Sequence, residues 1–135
     1  TEECNTHPDF KKALMRAHAR DAIATPQIDA DLPVVAVRAL RNEGTKRFVE
    51  LQLKLLDDLK HDRIERKAAA EEVDKFWIGA LRRAAVEGDV DGGSVMSGQI
   101  VGLIDDILPV RAVIDNLLDE ANATFADLRA KFKGE

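Results

Sequence analysis

The stretch Gly88-Asp89-Val90-Asp91-Gly92-Gly93-Ser94-Val95-Met96-Ser97-Gly98-Gln99-Ile100-Val101-Gly102-Leu103 carries the most chemistry in this chain. Gly88 to Gly93 is a turn-forming cluster. Ser94, Ser97 and Gly98 follow at an expected helix N-terminus. Free backbone N–H groups at such an end bind an anion or the electron-rich edge of a ring. Small side chains let a flat ligand approach the backbone. Met96 offers an adaptable apolar surface to an aromatic ring. Gln99 can both donate and accept hydrogen bonds at a heterocycle edge. A packing alternative stands beside this reading: Gly98 and Gly102 share one helix face and let another helix come close.

Upstream, the pattern is mostly helical. Phe10, Ala13, Leu14 and Ala17 recur at helical spacing, which predicts a first helix from near Pro8 to near Arg20. Thr6 is the expected N-cap, with Asp9 three residues on, and Pro8 suits a first turn. Residues 21–40 read as a β-hairpin. The short apolar runs Ala22–Thr25 and Val34–Val37 are its expected strands, and Pro26, Asp29, Asp31 and Pro33 lie between them. Residues 41–87 read as helices. Phe48, Leu51, Leu55 and Leu59 form a narrow stripe on the first. Val73, Phe76, Trp77, Ala80, Leu81 and Ala84 form one face of the second, expected to run from Asp62 to Glu87. The charged residues opposite read as a solvated face. Downstream of the glycine-rich loop and helix at 88–104, Pro109 opens a C-terminal helix over 109–133.

Composition narrows the class of protein. The chain has 135 residues, of which 45% are hydrophobic and 33% charged. That is enough apolar content for a core. The net charge of -5 counts against generic nucleic-acid binding, which favours a basic footprint. No apolar run approaches the roughly 18 residues that suggest a membrane span. Cys4 is the one cysteine, so an internal disulfide is excluded and a reducing, cytoplasmic setting is expected. The acidic start Thr1-Glu2-Glu3-Cys4 is no signal peptide, and the lack of an initiator Met suggests a chain processed or cut from something longer.

Candidate catalytic sets are sparse. His7, His18 and Cys4 have no recognised metal-ligand spacing, and His61 stands alone among charges, so no metal is expected. Adjacent carboxylates such as Asp57-Asp58 and Asp105-Asp106 diverge by about 100° on a helix, which makes them poor acid/base pairs. There is no Walker loop, no strand-linked G-x-G-x-x-G and no Ser/His/Asp set. No catalytic residue is assigned within this chain.

The stretch from Gly88 to Leu103 closely resembles the C-terminal signature of one flavoenzyme family. That family comprises the FMN-dependent enoyl-[acyl-carrier-protein] reductase II enzymes and the nitronate monooxygenases, formerly 2-nitropropane dioxygenases. The resemblance extends upstream. Thr1-Glu2-Glu3-Cys4 with His7-Pro8 and Lys11 or Lys12 resembles the segment after the family's last barrel strand. Val37-Arg38-Ala39-Leu40-Arg41-Asn42 resembles its Val/Ala-Arg-x-x-x-Asn stretch. The Gly-Ser-Val-Met-x-Gly-Gln core is the specific part, and the flanks are weaker. Ser97 stands where many relatives carry Ala.

The resemblance implies a fold: a mainly α chain with one small β-hairpin. It would be the helical cap and C-terminal part of a TIM-barrel flavoenzyme, with the barrel itself absent from this chain. Residues 1–20 would then follow the last barrel strand, and 88–104 would face the flavin. It implies that Gly93, Ser94, Met96, Ser97, Gly98 and Gln99 lie near the flavin ring, with Glu3 a weaker candidate at the barrel mouth. The implied cofactors are FMN and NAD(P)H, bound mainly by the missing N-terminal barrel. The implied partners are a small-molecule or acyl-carrier substrate and that barrel, with no nucleic acid and no membrane, and room for a homodimer. The implied reaction is hydride transfer through FMN to an enoyl thioester, with nitronate oxidation the alternative. The Gly-Asp-Val-Asp-Gly-Gly lead-in favours the reductase, and the fragment by itself is expected to be inactive. From the residues alone, a free-standing helical interaction module with no catalysis remains the competing class.

Overall fold

Helix α1 spans Pro8–Arg16, with Pro8 at its first turn, where a missing N–H costs nothing. The computed structural model describes residues 1–132. The N-cap of α1 is His7, not Thr6: the His7 ring Nδ1 accepts the Asp9 N–H at 3.2 Å. The helix also stops short of Arg20. Ala17 is extended, and Ala19–Asp21 forms a separate 3-10 turn. The Asp21 carboxylate accepts the His18 N–H at 2.8 Å and starts that turn anew.

A two-stranded antiparallel hairpin follows, β1 at Ala22–Ala24 and β2 at Arg38–Leu40, with Ala22 opposite Leu40. The second strand lies downstream of the expected Val34–Val37. This register sets Ala22 and Leu40, both buried, in one core, and leaves Val35 exposed. Val37 still reaches the ladder: its carbonyl accepts the Thr25 N–H at 2.8 Å.

Helix α2 runs Glu43–Lys60 behind Asn42, whose Oδ1 accepts the Thr45 N–H at 3.0 Å. Helix α3 spans Arg66–Trp77. The continuous helix expected from Asp62 to Glu87 starts four residues late, at Arg66, and is broken once. Asp62–Glu65 connects α2 to α3, and Gly79, at φ 74°, separates α3 from α4 at Ala80–Arg82. Helix α4 then widens to π geometry over Arg83–Glu87. The break at Gly79 serves packing, because the residues on either side of it belong to different cores. Val73 joins Leu32, Phe48, Leu55 and Ala69 in one. Ala84 joins Phe10, Ala22, Leu40, Val95 and Val101 in the other. Phe48, Phe76 and Trp77 form an aromatic triad with ring centroids 5.0–5.2 Å apart. Gln52, polar yet fully buried, ties the hairpin loop to α2. Its Nε2 donates to the Pro26 carbonyl at 2.9 Å, and its Oε1 accepts the Ile28 N–H at 3.2 Å.

These elements, from Thr6 to Asp105, form one compact unit, and Thr1–Asn5 with Asp106 onward forms another. The second unit is built on helix α5, Val110–Phe132. The expected end at residue 133 lies outside the described residues. None of the residues of α5 is buried. The chain is thus mainly helical with one small hairpin, as the sequence leads one to expect.

Candidate functional site around Ser94, Met96 and Trp77

The site begins with how the glycine-rich loop is held. Asn42, besides capping α2, donates from Nδ2 to the Val90 and Gly93 carbonyls, both at 2.8 Å. The Gly44 N–H donates to the Asp91 carbonyl at 2.8 Å. The Gly92 N–H donates to the Asp89 carboxylate at 2.7 Å. Gly93 threads a space no side chain fits. A Cβ there would lie 2.5 Å from the Asp89 carbonyl oxygen, 2.7 Å from the Ala84 nitrogen and 2.8 Å from the Ala80 oxygen.

After Gly93 the chain is extended, not helical. The Ser94 N–H donates to the Ala80 carbonyl at 3.0 Å. Met96 forms an antiparallel bridge with Ala39. The flanking bonds are Leu40 N–H to Val95 O at 2.9 Å and Ser97 N–H to Arg38 O at 3.1 Å. The expected helix N-terminus at Ser94 and its free N–H groups are therefore absent: Ser94 and Ser97 spend their N–H groups on neighbouring backbone. The segment instead satisfies an edge of β2, and a two-stranded ladder gains from such cover. Helical geometry resumes only as a 3-10 turn at Gln99–Leu103. The packing alternative holds in part. A Cβ on Gly102 would lie 2.7 Å from the Ala19 nitrogen, whereas one on Gly98 would meet nothing within 4 Å.

The extended segment delivers Ser94 and Met96 to the wall of a cavity of about 190 Å³, completed by Val35, Val37, Trp77 and Leu81. Met96 is 43% exposed and Val35 77% exposed, so the cavity opens on an apolar surface. The resemblance leads one to expect the face around Trp77, Met96 and Val95 to be partly exposed where a barrel would sit, but Val95 belongs to the core and is 1% exposed. The Trp77 Nε1 is buried and has no hydrogen-bond partner. A buried donor left unsatisfied costs about 1–3 kcal/mol.

Of the six motif residues expected near the flavin, two line this cavity: Ser94 and Met96. Gly93 is buried behind them. Ser97 bonds from Oγ to the Gly98 carbonyl at 3.2 Å, and Gly98 and Gln99 are exposed beyond the end of the ladder. The sequence pattern missed Val35 and Val37 as site residues because they read as a strand, and Leu81 because it read as the core face of a helix. Glu3, in the other unit, accepts the Val110 N–H at 2.9 and 3.1 Å and so caps α5. Among the described residues, no group of three or more His, Cys, Asp or Glu is placed to hold a metal ion. No helix among them is long and apolar enough to cross a membrane.

The site is an apolar, adaptable wall with no phosphate cradle of its own. A wall of this kind can pack against a flat or apolar surface. No family model and no curated protein matches the chain. Solved structures do. FabK from Thermotoga maritima, an enoyl-ACP reductase II, matches at 32% identity and a TM-score of 0.69. The match covers 93% of this chain and 34% of FabK. A methionine-to-alanine variant of FabK from the same organism matches at 29% identity and a TM-score of 0.65, over 95% of this chain and 32% of that one. The chain spans about a third of the length of these proteins. The resemblance to the C-terminal portion of enoyl-ACP reductase II is borne out by these two solved structures.

Proposed function

We propose that this chain is the C-terminal cap portion of an FMN-dependent NAD(P)H oxidoreductase that reduces an enoyl thioester. The observation that carries this reading is the match of nearly the whole chain to about a third of FabK. The remaining two thirds of such a protein would supply the barrel, the phosphate site of FMN and the catalytic residues. The cavity at Ser94, Met96 and Trp77 fits that division of labour. It has apolar surface for a ring or acyl chain, but the Ser94 and Ser97 N–H groups are already spent and hold no phosphate. FMN, when bound, supplies the hydride relay; this chain's residues shape the pocket and exclude water from it.

Met96, Ser94 and Gly93 are the residues assigned to the flavin side of the pocket, with Ser97, Gly98 and Gln99 at its rim. Helix α5 supports a missing partner. Val110, Val113, Ile114, Leu117, Leu118, Phe125, Leu128 and Phe132 are all 41–80% exposed. An apolar face of that extent is uncommon on a free-standing soluble module. Nitronate oxidation in the same family remains the alternative chemistry, and a soluble cytoplasmic enzyme is the setting this reading assigns.

The test is Met96→Glu in the complete enzyme. A carboxylate placed against the apolar pocket is expected to slow flavin reduction or acceptor turnover by at least about tenfold, because a charge there loses hydration without gaining a partner. Unchanged kcat and KM for both substrates would remove Met96 from the pocket.

A further inference from the structure

Helix α5 carries its large apolar residues in an order that reads alike from either end. Val110 and Phe132 lie eleven residues on either side of Ala121, Ile114 and Leu128 seven, and Leu117 and Phe125 four. At about 100° per residue, these six and Ala121 fall within roughly 80° of arc. The stripe runs for about 34 Å, the length of 23 helical residues. Val113 and Leu118 widen it, while Asp115, Asp119 and Asp127 turn away from it. No residue of α5 is buried, and its eight large apolar residues are 41–80% exposed. Together they present roughly 800 Å², about what each partner contributes to a standard interface.

We infer that this face is covered by α5 of a second copy of the chain, antiparallel to the first, with a two-fold axis at Ala121. A two-fold interface uses one patch on both partners, so that patch must complement itself. Antiparallel pairing about Ala121 meets the condition. It sets Val110 level with the partner's Phe132, Ile114 with the partner's Leu128 and Leu117 with the partner's Phe125. Leu118 comes against the partner's Phe125 on the same flank of the seam. Ala121, the smallest side chain of the stripe, falls at the midpoint, where a small residue lets the two helices approach. A parallel pair would instead crowd Phe125 on Phe125 and Phe132 on Phe132 at one end, with Val110 on Val110 at the other. A face shaped for an unrelated surface has no reason to mirror itself about its own midpoint. The pairing goes beyond the flavoenzyme reading and does not rest on it.

Leu118 and Phe125 supply the test, because both are exposed and neither belongs to the two buried cores. The 135-residue chain is expected to sediment as a dimer at micromolar concentration. Leu118→Glu and Phe125→Lys, each alone, are expected to weaken the dimer at least about tenfold, since each sets a charge against an apolar side chain. Mixed in equal amounts, the two variants are expected to regain most of that loss. The mixed pair places the new carboxylate beside the new ammonium at one contact and keeps Leu118 against Phe125 at the other, which only an antiparallel arrangement allows. A monomeric wild-type chain, a dimer indifferent to either substitution, or variants that stay apart on mixing would each overturn the inference. So would a complete gene product whose dimer affinity ignores Leu118→Glu, since the rest of that product would then be what covers α5. Every readout is a mass in solution and none involves flavin, so the dimer can fail while the flavoenzyme reading stands.

Discussion

Gly93 sits where three backbone atoms converge, from the Asp89, Ala84 and Ala80 peptides, and each would be under 3.0 Å from an added Cβ. None of them can yield by rotating a side chain. Gly93→Ala is therefore expected to cost about 1–3 kcal/mol or more, as overpacking of a tight core does. Urea denaturation checks this, and an unchanged midpoint would show that the loop can shift aside freely. Ser94 and Met96 show the next residue-level lesson. Their chemistry is readable from the sequence, since a soft side chain and a small polar one beside glycines suggest a ligand surface. Which way each points is not readable, because that depends on a bridge to Ala39, which lies far away in sequence.

The junction of β2 and α2 is the element that presents the loop. Asn42 does two jobs there with two different atoms: Oδ1 caps α2, and Nδ2 grips the Val90 and Gly93 carbonyls. Asn42→Asp separates them. The carboxylate still accepts the Thr45 N–H, and a negative charge suits a helix N-terminus, but it cannot donate to the two carbonyls. Helix content by circular dichroism is expected to hold, while amide exchange at Gly93 and Gly44 accelerates. Loss of helix together with the loop would contradict the division. The helical elements were legible where apolar spacing is regular, as in α2 with Phe48 and Leu55. The break at Gly79 was not, because Val73 to Ala84 keeps helical spacing across it and only the existence of two cores separates its halves. The extended course of residues 94–97 was misread as helical for a similar reason. A strand edge waiting for cover is a property of the assembled ladder and leaves no local pattern.

At the scale of the whole molecule, the apolar face of α5 is the feature least suited to water. Ile114, Leu118, Ala121, Phe125, Leu128 and Phe132 alternate by four and three residues, a spacing that keeps one seam on one side of a helix. The isolated chain is expected to self-associate through it at micromolar concentration, and the double substitution Leu118→Lys, Phe125→Lys to reduce that association. Light scattering or sedimentation reads the outcome; a monodisperse wild-type chain would favour the free-standing module. The likeness to the enoyl-ACP reductase II family was legible as a motif resemblance, most specific in Gly93 to Gln99 and weaker in residues 1–12 and 37–42. The identity of the acceptor was not, because on the proposed reading an acceptor is chosen by a complete pocket of which this chain would supply one wall.

The central claim is that these residues complete a larger flavoenzyme. The most direct measurement is the intact mass of the native gene product, isolated without denaturation, together with its visible spectrum. A polypeptide about three times the length of this chain, carrying flavin absorbance, is the predicted result, in keeping with the third of FabK that the chain spans. A colourless native product of 135 residues would contradict it.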